Sequence, residues 1–121
     1  MAHVTEADVH AQSLDGTVVL TLCGEIDLEN AGRMRERIAA AVPHPAQGIV
    51  VDLSGVSHID SAGIRLLFDL ASRLGERRLG VAIVAPSHTL LRELLDVVRL
   101  SSVATVFETV DEALRRRSVT G

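Results

Sequence analysis

Ile49-Val50-Val51-Asp52-Leu53-Ser54-Gly55-Val56-Ser57-His58-Ile59-Asp60-Ser61-Ala62-Gly63-Ile64 is the stretch on which the fold turns. Its first five residues form a short run rich in β-branched side chains, the composition of a buried strand. From Ile64 the period becomes helical. Ile64, Leu67, Phe68, Ala71 and Leu74 make one apolar stripe, with Arg65, Asp69 and Arg73 mostly outside it and Gly75 closing the helix. Ser54 to Asp60 is then the connection, and Ser61 falls at or beside the helix start. A strand feeding a helix is half of a βαβ unit, so its neighbours decide the sheet.

Upstream, Val9 to Ser13 and Thr17 to Cys23 flank Asp15-Gly16, a strong hairpin signal. Val18, Leu20 and Leu22 share one face of the second arm, and Val19, Thr21 and Cys23 share the other. Both faces are largely apolar, so this arm is read as a central strand. After Gly24-Glu25-Ile26-Asp27 a helical stripe follows: Leu28, Ala31, Met34, Ile38 and Ala41. Asp27 is placed to cap that helix by accepting from its free backbone amides, and Pro43 and Pro45 end it.

Downstream, Val81 to Val84 reads as the next strand. Ser87 is expected to cap a third helix with the stripe Leu90, Leu91, Leu94 and Val98. A short strand around Val106-Phe107 follows. Thr109-Val110-Asp111-Glu112 has the form of a capping box, and Arg115, Arg116 and Arg117 complement the negative end of the last helix. The order is ββαβαβαβα. It defines an α/β fold: a mixed, mostly parallel sheet packed with amphipathic helices, in one domain over 1–121 with an ordered core of about 8–117.

The composition excludes several functions. The chain has 121 residues, room for one domain, and all 12 of its basic residues are arginine. Without lysine there is no Walker A loop and no Schiff-base chemistry, and a phospho-aspartate receiver, of similar size, is excluded with them. A net charge of −4, a pI near 5.7 and 2% aromatics leave neither the electrostatics nor the stacking platforms for direct nucleic-acid binding. Cys23 is the lone cysteine, so no internal disulfide forms. No apolar run approaches a membrane span, and the acidic start lacks the basic residues and apolar stretch of a signal peptide, so a cytoplasmic location is expected.

Chemistry concentrates at Ser61. A hydrolase nucleophile elbow requires Gly two residues before the serine, and Ile59 stands there. Two readings remain open. Ser61 is a helix cap, a role its residue type favours, or it is a phosphorylation site, where an added anion would meet backbone amides and the positive helix end. His58 with Asp27, Asp52 and Asp60 matches no structured metal spacing, so no metal or other cofactor is expected. Asp60 has the ordinary reading of a loop acid. The Arg115 to Arg117 run is more simply a solvated helix end than a basic tail.

Taken together, Gly24-Glu25-Ile26-Asp27, Val50-Val51-Asp52-Leu53-Ser54-Gly55-Val56 and Ile59-Asp60-Ser61-Ala62-Gly63-Ile64, through to Glu108-Thr109-Val110-Asp111-Glu112-Ala113-Leu114, resemble a STAS domain. More narrowly, they resemble the stand-alone bacterial anti-sigma-factor antagonists. The resemblance implies a binding switch and not an enzyme. The unmodified antagonist binds an anti-sigma factor that is also a serine kinase, and the sigma factor goes free. Phosphorylation of the serine of the Asp-Ser-x-Gly motif, here Ser61, releases the antagonist, and a metal-dependent protein phosphatase resets it. Asp27 matches the acid of the family's Gly-Glu-x-Asp motif and is expected near Ser61. With Asp60, Ala62, Gly63, Ile64 and Arg65 it makes the expected partner-binding surface.

Ala62 stands where many relatives carry a second hydroxyl, which leaves Ser61 as the acceptor. Arg65 occupies a position often small in relatives, and it either pairs with a phosphate or contacts the partner. Two alternatives stand beside this reading. One is a non-switching STAS scaffold in a signalling or transporter assembly, which keeps the serine merely as a cap. The other is a small enzyme or nucleotide binder using the same loop, against which the missing lysine and glycine array count.

Overall fold

Asp15 and Gly16 both take positive φ, 51° and 86°, as a tight two-residue hairpin turn requires. They join β1 (Asp8–Leu14) to β2 (Thr17–Ile26), which pair antiparallel from Asp8↔Cys23 to Leu14↔Thr17. The computed structural model describes residues 7–42, 48–76 and 80–120. Beyond the hairpin come α1 (Ala31–Ala41), β3 (Gly48–Ile59), α2 (Ser61–Glu76), β4 (Gly80–Val84), α3 (Leu90–Val97), β5 (Thr105–Phe107) and α4 (Val110–Thr120). A single 3-10 turn at Leu100–Ser102 separates α3 from β5. The strands lie in sequence order in one sheet, and every pair after the hairpin is parallel. The α/β class, the mixed sheet and the ββαβαβαβα order are those expected from the sequence.

The sheet separates two apolar layers of unequal size. Val18, Leu20 and Leu22 of β2, with Ile49, Val51 and Leu53 of β3 and Ile83 of β4, face the larger one. Met34 and Ile38 of α1, Leu66, Leu67, Ala71 and Leu74 of α2, and Leu95 of α3 close over them. The opposite face is smaller: Val19, Val50, Ala82 and Val84 meet Ala113 of α4, with Val110 and Leu114 beside it. β2 is a central strand with apolar side chains on both faces, as its composition suggested.

Several elements differ from the sequence reading. β3 does not stop at Leu53. It runs to Ile59, and its second half pairs with the end of β2 (Gly24↔Val56, Glu25↔His58, Ile26↔Ile59) across two register shifts. The shifts accommodate Gly24, which has φ 89°, in the manner of a bulge that bends the strand end. Leu28 is not on the α1 stripe. It lies in the turn before the helix and is 80% exposed. The α3 stripe is also misphased: Leu95 is fully buried, Leu91 and Leu94 pack partly on the core, and Leu90 is 84% exposed. Thr89 caps α3 in place of Ser87, its Oγ1 accepting from the Arg92 amide at 3.1 Å.

α2 continues one residue past Gly75 to Glu76. The capping box forms at α4, where Thr109 Oγ1 accepts from the Glu112 amide at 3.1 Å, although the Glu112 carboxylate reaches back one residue further, to the Glu108 amide at 3.0 Å. Pro43 and Pro45 and the side chain of Arg117 lie outside the described residues.

Candidate functional site: the corner between β3 and α2

A single residue, Asp60, separates the end of β3 from the first residue of α2, and the corner is built on it. Its amide donates to the Ile26 carbonyl at 3.2 Å, which ties the end of β3 to the end of β2. Its Oδ1 accepts from the amides of Ala62 at 2.9 Å and Gly63 at 3.1 Å. Those are free donors of the first helical turn, so Asp60 is the N-cap of α2. Its Oδ2 accepts from the Leu28 amide at 3.1 Å, in the turn between β2 and α1. One carboxylate thus caps a helix and pins a second loop against it. The Gly63 amide, with those of Leu28 and Ala62 and the nearby His58, holds the Asp60 carboxyl below the ordinary carboxylate range against some opposing desolvation. Asp60 is therefore not a loop acid.

With the capping role taken, Ser61 has nothing to cap. It is the first residue of α2, it is exposed, and its hydroxyl has no hydrogen-bond partner among the described residues. A serine and an aspartate side by side are both capping types, and the Ala62 and Gly63 amides select the aspartate.

Asp27 does accept backbone amides, but in the turn ahead of α1 and not at the helix start itself. Its Oδ1 takes the amides of Glu29 at 3.0 Å and Asn30 at 3.2 Å. Asn30 clamps the same turn from the other side, accepting from the Asp27 amide at 3.0 Å and donating to the Glu25 carbonyl at 2.8 Å. The Leu28 amide then carries this turn onto Asp60. Asp27 and Ser61 are thereby brought to one edge of the molecule, where the parallel strands β2 and β3 end.

The sequence reading missed two contributors here. Asn30 had a signal, since Asn is favoured around helix starts. Leu28 had none, because a leucine in phase with a helical stripe reads as core.

The rest of the motif divides by exposure. Gly63 is buried. A Cβ there would collide with Ile59 Cγ1 and lie 3.0 Å from the Ile26 carbonyl oxygen, so glycine lets the helix start sit directly on the strand ends. Ala62 is half-buried, and Ile64 is half-buried against the larger core. Arg65 is exposed one turn beyond Ser61. Among the described residues no three His, Cys, Asp or Glu side chains are placed to hold a metal ion.

The fold has counterparts among known proteins. Residues 8–113 match the STAS domain, and the chain belongs to that family. It is 29% identical over 100 residues to the anti-sigma-F factor antagonist RsfB of Mycobacterium tuberculosis, a match covering 83% of this chain and 80% of that protein. The crystal structure of an anti-sigma factor antagonist from Mycobacterium paratuberculosis superposes with a TM-score of 0.77 at 24% identity, over 96% of this chain and 97% of the other. The Bacillus cell fate determinant SpoIIAA in its phosphorylated form superposes with a TM-score of 0.65 at 24% identity, over 90% and 98%. The module also occurs inside much longer chains. Sulfate transporter 3.2 of Arabidopsis thaliana is 28% identical over 110 residues, which span 80% of this chain and 17% of the transporter.

Proposed function

We propose that this STAS protein is an anti-sigma-factor antagonist. Unmodified, it binds an anti-sigma factor that is also a serine kinase and so frees a sigma factor. Phosphorylation of Ser61 by that kinase releases it, and a metal-dependent phosphatase restores it. The protein acts by binding and not by catalysis, and the exchange takes place in the cytoplasm. Among the described residues no helix is long and apolar enough to cross a membrane. The names of the stand-alone relatives, which match this chain over most of their length, support the class.

One observation carries the assignment of the acceptor: the Ser61 hydroxyl is exposed and uncommitted because Asp60 does the capping. A serine retained merely as a cap, which the scaffold alternative requires, would be engaged with the amides that Asp60 holds. The partner-facing surface in this reading is Ser61, Ala62 and Arg65 of α2 with Asp27 and the exposed Leu28 of the adjoining turn. Asp60, Gly63 and Ile64 fix its shape from beneath.

The energetics suit a switch. Phosphoserine adds about −1.5 to −2 charges. A unit-charge contact at about 5 Å with an effective dielectric near 20 is worth about 3 kcal/mol before screening. Moving a population from almost wholly bound to almost wholly free takes about 5.5 kcal/mol. A doubly charged group facing an acidic partner surface supplies much of that, and steric exclusion supplies the rest. Incubation with the cognate kinase and ATP is expected to add one phosphate, mapped by mass spectrometry to Ser61 and absent from Ser61→Ala. An unmodified wild-type chain, or equal modification of Ser61→Ala, contradicts the assignment.

A further inference from the structure

We infer that Arg65 is a positioning residue for the modified state: its guanidinium closes onto the phosphate carried by Ser61 in the same helix. This rests on the reading of Ser61 as the phosphoacceptor and adds a role that reading does not contain.

Ser61 and Arg65 are both exposed and stand at i and i+4 of α2. That spacing brings Cβ atoms to about 5–6 Å, with the anion N-terminal to the cation, the better of the two orientations. Helical side chains lean toward the N-terminus, so Arg65 covers the turn that begins at Ser61. The competing acid on the same helix is Asp69, at i+4 from Arg65. It is taken from outside: Arg35 of α1 donates to Asp69 Oδ2 at 3.1 Å. Arg65 is left with no ion pair or hydrogen bond among the described residues.

The other charged groups of this corner are committed or belong to other elements. Asp60 Oδ1 and Oδ2 hold three amides between them. Asp27 holds the amides of Glu29 and Asn30. His58 lies on β3, where it faces Asp60 closely enough to favour that carboxylate's charge.

A planar guanidinium takes two phosphate oxygens in parallel, which a serine hydroxyl cannot offer. In the unmodified protein Arg65 therefore presents a free cation to the partner, and in the phosphorylated protein the same cation is drawn onto the phosphate. The docking face gains an anion and loses a cation in one step.

The test installs phosphoserine at position 61 of the full chain during translation and follows the 31P chemical shift against pH. Wild type is compared with Arg65→Gln and Arg65→Lys, and circular dichroism checks the fold of each. A cation beside the phosphate favours its dianion, whose titration midpoint is ordinarily about 6. Arg65→Gln is expected to titrate about 0.3 pH or more above wild type at low salt, with Arg65→Lys between them and the gap closing at about 1 M salt. Coincident midpoints for wild type and Arg65→Gln overturn the inference. Failure of the cognate kinase to modify Ser61 strikes instead at the proposed function and leaves this titration unaffected.

Discussion

Adjacent residues at the β3–α2 corner do separate work. Asp60 holds the Ala62, Gly63 and Leu28 amides, and Ser61 has no hydrogen-bond partner among the described residues. Ser61→Ala is therefore expected to leave unfolding free energy within about 0.5 kcal/mol of wild type, as for an exposed position without partners. Asp60→Ala is expected to lower the urea midpoint clearly, because it frees two helix-start amides and releases the turn at Leu28. The pH dependence has a definite sign. The Asp60 carboxyl is held below its ordinary value in the fold. Its contribution is fully present above the unfolded-state value of about 3.9 and is lost as pH falls through the lower folded value. The gap in urea midpoint between wild type and Asp60→Asn should thus hold from neutral pH to about pH 4 and narrow progressively below it, and a gap unchanged across the acid range would show that the charge of Asp60 does not matter.

Elements show where sequence patterns suffice and where they do not. The hairpin was legible because Asp15-Gly16 is chemistry that only a few backbone conformations use. The end of β3 was not, since Ser54-Gly55 and Ser57-His58 look like a connection, and only pairing with β2 beyond Gly24 makes them strand. α3 was recognised as a helix but misphased: leucines at 90, 91, 94 and 95 satisfy a helical stripe in two phases, and packing on the sheet chooses between them. Leu95→Ala is accordingly expected to cost about 2–5 kcal/mol, the range for a buried leucine, while Leu90→Ala is expected to change stability by less than about 0.5 kcal/mol. Equal losses in chemical denaturation would reverse this phase.

Glycines divide in the same way. Gly63→Ala drives a methyl onto Ile59 and the Ile26 carbonyl, with an expected loss of about 1–3 kcal/mol. Gly32, in α1 with nothing within 4 Å of an added Cβ, is expected to gain up to about 0.5–1 kcal/mol as Ala. Differential scanning calorimetry of the two variants should move the melting temperature in opposite directions.

At the scale of the whole molecule, the core and the proposed phosphoacceptor are physically separate. The sheet is packed on both faces by α1 to α3 and by α4, and Ser61 sits at the edge where strands end, outside either layer. A charge added there changes what the surface presents without unpacking anything beneath it, so modification should act on binding and not on folding. The motif order made the family legible from sequence. The assignment of roles within the motif was not, because Asp60 and Ser61 are equally good capping residues: the Ala62 and Gly63 amides go to Asp60, whose carboxylate also takes the Leu28 amide from 32 residues away.

The most direct measurement is isothermal titration calorimetry of the cognate anti-sigma factor with the unmodified protein and with protein carrying phosphoserine at position 61, each checked for an unchanged melting temperature. The account expects the unmodified chain to bind and the phosphorylated chain to bind at least about 100-fold more weakly, a difference of about 2.7 kcal/mol. Equal affinity of the two forms for an intact partner would contradict it.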